Sequence, residues 1–73
     1  MAMRLLSPND FYHELERRGC RTTDGKFPFG RFWQGPDGRY FLVPPPEEDG
    51  RYPDWMLDDL IRRHNLPPPK RDH

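Results

Sequence analysis

Moving a proton near neutral pH calls for histidine, or for a carboxylate or thiol with a shifted pKa. The 73-residue chain offers His13, His64 and His73, and a single cysteine, Cys20. Neither His13 nor His64 has a serine, a cysteine or a paired acid at a spacing that would make a nucleophile and its base. The simpler role for His64 is a charge at a helix C-terminus, stabilising by about 0.3–1 kcal/mol when protonated. Glu14 and Glu16 read as helix-surface residues, and Cys20 as a small buried hydrophobe. One cysteine excludes an internal disulfide framework and a cysteine-based zinc site. No metal-ligand cluster, phosphate-binding glycine loop or nucleophile elbow is present in the sequence, so no cofactor and no metal are expected.

Binding chemistry is better represented. The stretch KFPFGRFW, Lys26 to Trp33, holds four of the ten aromatic residues in eight positions. Read as a strand, it alternates Phe27, Phe29, Arg31 and Trp33 on one face with Pro28, Gly30, Phe32 and Gln34 on the other. Aromatics interleaved with arginine on an open sheet face can stack on bases or anchor a protein partner. They can equally fold over a thin core, or pair two copies of the chain. Charge supplies a second signal. Glu47, Glu48, Asp49, Asp54, Asp58 and Asp59 stand against Arg51 alone, a local charge of −5, while the remainder carries +5 and the whole is neutral. A zero sum removes the simplest argument for nucleic-acid binding. The acidic segment is either a solvated loop and helix start or a surface for a basic partner.

A chain of 73 residues allows one domain with a small core. Apolar residues are 33% of the chain but aromatics are 14%, which predicts an aromatic-rich core under a polar surface. No long apolar run and no signal-peptide pattern appear, so a soluble, cytoplasmic protein without membrane contact is expected. Ser7-Pro8-Asn9-Asp10 reads as a helix start, with Leu6 and Phe11 at staple spacing and Gly19 as the stop, giving a helix over about residues 8–18. Three short strands follow: Cys20–Thr23, Phe27–Gln34 and Arg39–Val43. Turns are expected at Asp24-Gly25 and at Gly35 to Gly38, and Pro44-Pro45-Pro46 stops the third strand. After a polar loop, Pro53 opens a second helix with Met56, Leu57, Leu60 and Ile61 on its apolar face. Asn65 suits a left-handed end residue, with Leu66 packing back on Ile61. The expectation is an α+β domain over residues 1–66, ordered helix, three-stranded antiparallel meander, helix, with both helices on one face. Residues 67–73 read as a proline-rich, disordered tail.

That order of words resembles the HicA family of bacterial toxins. The resemblance rests on the opening serine and helix, Gly19, an aromatic at Phe32, Pro36-Asp37-Gly38, Val43-Pro44 and the closing Asn65-Leu66. It implies a double-stranded-RNA-binding-domain fold and, for the family, messenger-RNA cleavage neutralised by a HicB antitoxin. The family's second strand carries Gly-Ser-His, whose histidine is catalytic. Ungapped counting from Gly19 places that triplet on Phe27-Pro28-Phe29, and a shifted register on Gly30-Arg31-Phe32. Neither supplies a histidine, and phenylalanine at 29 cannot move a proton. The position after Val43-Pro44, often basic or histidine in the family, is Pro45.

The resemblance thus implies the fold while arguing against an enzyme. Matching Phe32 to the family's core position turns it toward the helices and leaves Phe29, Arg31 and Trp33 outward, beside Tyr40 and Leu42. The leading expectation is a non-catalytic protein recognising a protein or nucleoprotein partner, such as a phage anti-defence inhibitor of the anti-CRISPR type. Its contact residues would be Phe29, Arg31, Trp33 and the acids Glu47, Glu48, Asp49, Asp54, Asp58 and Asp59. The alternative is a HicA-type ribonuclease, with Lys26, Arg31 and Arg39 holding RNA phosphates. Either could be a monomer or a homodimer.

Overall fold

The computed structural model describes residues 4–69. In chain order the elements are β1 (Leu5–Leu6), α1 (Pro8–Arg17), β2 (Arg21–Phe27), β3 (Gly30–Gln34), β4 (Tyr40–Val43), β5 (Tyr52–Pro53) and α2 (Asp54–Arg63). β2, β3 and β4 form an antiparallel sheet in that order, and β1 pairs with β5 in a second, two-stranded one. The chain is therefore a small α+β protein with two helices and a three-stranded antiparallel sheet.

The helices begin and end where local chemistry dictates. Ser7 caps α1, its Oγ accepting from Asp10 N at 3.2 Å, and Pro8 occupies a position whose N–H would go unused. α1 stops at Gly19, which takes φ +88°; Cys20 N then donates to Leu15 O and Gly19 N to Glu16 O. α2 repeats the motif with Asn65 at φ +52° and Leu66 N donating to Ile61 O. Leu66 is buried, as its spacing predicts.

One cluster forms the core: Phe11 and Leu15 from α1, Trp33, Phe41 and Val43 from the sheet, Leu57 and Leu60 from α2, with Leu6, Cys20, Tyr52 and Leu66. Tyr52 joins its parts. Its ring stacks on Phe11, and its hydroxyl donates to Pro44 O at 2.7 Å and lies 3.0 Å from the Tyr12 hydroxyl.

Four expectations are corrected. The first strand does not stop at Thr23; β2 runs to Phe27, and Asp24-Gly25 lies in a register irregularity between Thr22 and Lys26. There Thr23 Oγ1 donates to Phe32 O at 2.7 Å, a side chain taking over a ladder contact. The hairpin turn falls instead on Pro28-Phe29, so Phe29 belongs to no strand and β3 begins only at Gly30. The faces of β3 are reversed: Trp33, expected outward, is 1% exposed opposite Phe41, while Phe32, expected inward, is half-buried opposite Leu42. A single parity choice moves a whole strand's side chains, and the bulkier indole takes the core position. Finally, the loop ahead of α2 is not wholly irregular, because Tyr52 and Pro53 pair with Leu6 and Leu5. Of the expected tail, residues 70–73 lie outside the described residues; Pro67 O accepts from Arg18 Nη1 at 3.0 Å.

Candidate binding surfaces

The reversed β3 redistributes the aromatic stretch over two surfaces. On the side of the sheet opposite Trp33, Phe41 and Val43, the exposed large apolar side chains are Phe27, Phe29, Tyr40 and Leu42, with Phe32 half-buried among them. Phe27 and Phe29 stack across the hairpin turn, 5.1 Å apart and 9° from parallel. Phe32 meets Phe27 edge-on at 5.8 Å. Leu42 lies directly across from Phe32, and Tyr40 across from Gln34. At the end of this row Arg21 donates from Nε and Nη2 to Gln34 Oε1, at 3.0 and 2.9 Å. Phe29 is 57% and Tyr40 62% exposed, so the row is wet from end to end.

The other surface is a groove of about 650 Å³ between α1, the β2–β3 hairpin and the prolines after β4. α1 contributes Asn9, Tyr12, His13 and Glu16 to it, and the hairpin contributes Lys26 and Arg31, which face each other directly across the strands. Pro44, Pro45 and Pro46 form the remaining wall. Gly30 holds the hairpin close to that wall: its φ is +141°, and a Cβ there would collide with the Val43 carbonyl oxygen. Arg31, expected on the open face beside Phe29, is thus in the groove, half-buried.

The acidic residues lie on two elements, the loop before β5 and α2. Glu47, Glu48 and Asp49 lie in an exposed turn, closed by Gly50 N donating to Glu47 O and by Arg51 N donating to Asp49 Oδ1. Asp54 accepts from Arg4 N at 3.1 Å and so tethers α2 to the start of β1. Asp59 pairs with Arg63 at 2.7 Å, and Asp58 is exposed. Arg39, expected to hold phosphate, is exposed, with its Nε 3.8 Å from the Asp37 carboxylate. Trp55, 54% exposed and one helical turn before Asp58 and Asp59, is a surface residue that the apolar-face argument passes over. The helical wheel could have found it, since it lies opposite Leu57 and Leu60.

His64 stacks on Phe41 at 4.7 Å, and His13 is exposed on the groove wall. Among the described residues, no hydrogen bond or ion pair engages either imidazole. Burial pushes the Cys20 thiol up from its ordinary value, Asp37 adds to this and Arg18 opposes it, so the thiol is a poor nucleophile. Burial and the Tyr12 hydroxyl also raise the Tyr52 phenol. No group of three or more histidine, cysteine or acidic side chains gathers among the described residues. None of their helices is long and apolar enough to cross a membrane.

No family model, curated protein or solved structure matches this chain.

Proposed function

We propose that the chain is a non-catalytic binding protein that docks a protein or nucleoprotein partner on the uncovered side of its three-stranded sheet. The observation that carries this is the row Phe29, Phe27, Leu42 and Tyr40, four large side chains left in water around a half-buried Phe32 by a protein with few apolar residues to spare. Rings already stacked in the free protein lose little freedom on binding, and aromatic residues are enriched at the cores of interfaces. The reading presumes the HicA-like arrangement with both helices on the far side of the sheet. Phe11, Leu15, Leu57 and Leu60, which share a cluster with Trp33, Phe41 and Val43, support that arrangement. An anti-defence inhibitor of the anti-CRISPR type is one protein of this class.

A second reading, RNA hydrolysis in the manner of HicA toxins, draws on one observation: His13, Lys26 and Arg31 line the same groove. Expression in bacteria separates the two. Binding without catalysis predicts unimpaired growth and intact messenger RNA. Growth arrest with messenger-RNA loss, abolished by His13→Ala, would support the ribonuclease instead.

A further inference from the structure

The groove behind the hairpin shares Phe27 with the aromatic row, but its charged members, Lys26 and Arg31, have no role in sheet-face docking. Two cations directly opposed across antiparallel strands repel each other. Among the described residues neither is within ion-pair distance of a carboxylate, although Glu16 lines the same groove. Arg31 is also half-buried, which raises the cost of leaving its charge uncompensated. We propose that this groove is a second binding site, which takes an extended peptide segment with a carboxylate side chain seated between Lys26 and Arg31.

Three features suit the groove to a peptide carboxylate, and the second of them disfavours a polyanion. The guanidinium fork of Arg31 matches a carboxylate in two parallel hydrogen bonds, and Lys26 adds a point charge from the facing strand. The opposite wall presents Asn9 and Glu16, which can accept from peptide N–H groups. A polyanion such as a nucleic-acid strand would bring its phosphates against the Glu16 carboxylate, whereas a peptide brings donors to it. The third wall is rigid, because proline fixes φ in Pro44–Pro46 and the Tyr52 hydroxyl holds the Pro44 carbonyl. Tyr12, held in turn at the Tyr52 hydroxyl, gives an apolar surface for the segment's neighbouring side chains. The volume lies within the span of ligand sites, about 300–1,000 Å³.

This inference does not rest on the sheet-face reading, and separate variants test each. The probes are the blocked tripeptides acetyl-Leu-Glu-Leu-amide and acetyl-Leu-Gln-Leu-amide, titrated into the isotope-labelled full chain and followed by NMR. The glutamate peptide is expected to shift the Arg31 Nε–H and Lys26 signals saturably, at least about fivefold more tightly than the glutamine peptide. Arg31→Gln should remove the difference while leaving the core signals in place, and Phe29→Ala should leave it unchanged. Lys26→Glu, which sets a carboxylate directly across from Arg31, should likewise remove the difference. Equal binding of the two probes, or no saturable shift with either, overturns the proposal. So does tighter binding of inorganic phosphate or of a single-stranded oligonucleotide at the same residues.

Discussion

The rings of Phe11 and Tyr52, forty-one positions apart, stack with centroids 4.1 Å apart and 18° between their planes. Through this contact the first helix is fixed to the strand that precedes the second, and the Tyr52 hydroxyl carries the tie on to Pro44 and Tyr12. Both rings are fully buried. In so short a chain such a junction is a large share of the core.

Tyr52→Phe should therefore keep the ring and lose only the hydroxyl, costing about 0.5–1.5 kcal/mol for the hydrogen bond, or more if Pro44 O is left dry. Tyr52→Ala should cost about 3–5 kcal/mol, by analogy with other buried aromatics. Urea unfolding followed by tryptophan fluorescence measures both, and similar losses for the two variants would show that the hydroxyl carries the junction.

The same phenol predicts an alkaline limit. Its pKa is raised above the ordinary value of 10.0 by burial first and by the Tyr12 hydroxyl second. Above pH 10 the unfolded chain has released a proton that the folded chain still holds, so rising pH favours unfolding. The stabilisation is complete below that value and is lost as pH rises toward the higher folded-state pKa. Cys20, raised from 9.0 mainly by burial, acts in the same direction. Unfolding midpoints should fall above about pH 9–10, and the fall should be shallower in Tyr52→Phe.

Trp33→Ala should cost about 3–5 kcal/mol, a large fraction of a small domain's stability. Phe29→Ala, at an exposed turn position, should change stability by less than about 0.5 kcal/mol. Thermal unfolding of the two variants side by side checks the assignment of faces, since an outward Trp33 would make the two alike.

Gly30→Ala should destabilise by more than about 1 kcal/mol, since the residue combines a positive φ with contact against the Val43 carbonyl. The loss should appear in the hairpin first, as accelerated amide exchange in β2 and β3. An unchanged exchange pattern would contradict the close approach of hairpin and proline wall.

Features governed by neighbouring residues were legible in the sequence. The Ser7 cap, the Gly19 and Asn65 stops and the Gly35–Gly38 turn each depend on a few adjacent side chains and φ values, and each is where local chemistry predicts. The position of the β2–β3 hairpin was not legible, because Asp24-Gly25 has the chemistry of a tight turn and here accommodates a bulge. Pro28-Phe29 carries no such mark; Gly30, beside it, supplies the unusual φ. The face of β3 turned on a single parity, and anchoring Phe32 to a family position chose the wrong one. β1 and β5 are two residues each and meet across more than forty positions, so no local pattern announces them. At the surfaces, the sequence marked the aromatic stretch as unusual and Lys26 and Arg31 as cations. It did not divide them between an open face and a groove.

We propose that a partner docks on the sheet face that carries Phe27, Phe29, Tyr40 and Leu42. Affinity capture from the native host, using the wild-type chain, a Phe29→Ala/Leu42→Ala variant and an Asp58→Lys/Asp59→Lys variant, tests it most directly when all three have matching unfolding midpoints. One stoichiometric partner is expected on the wild type and on the lysine variant, with affinity lowered at least about tenfold, roughly 1.4 kcal/mol, on the sheet-face variant. Undiminished capture by the sheet-face variant would contradict it.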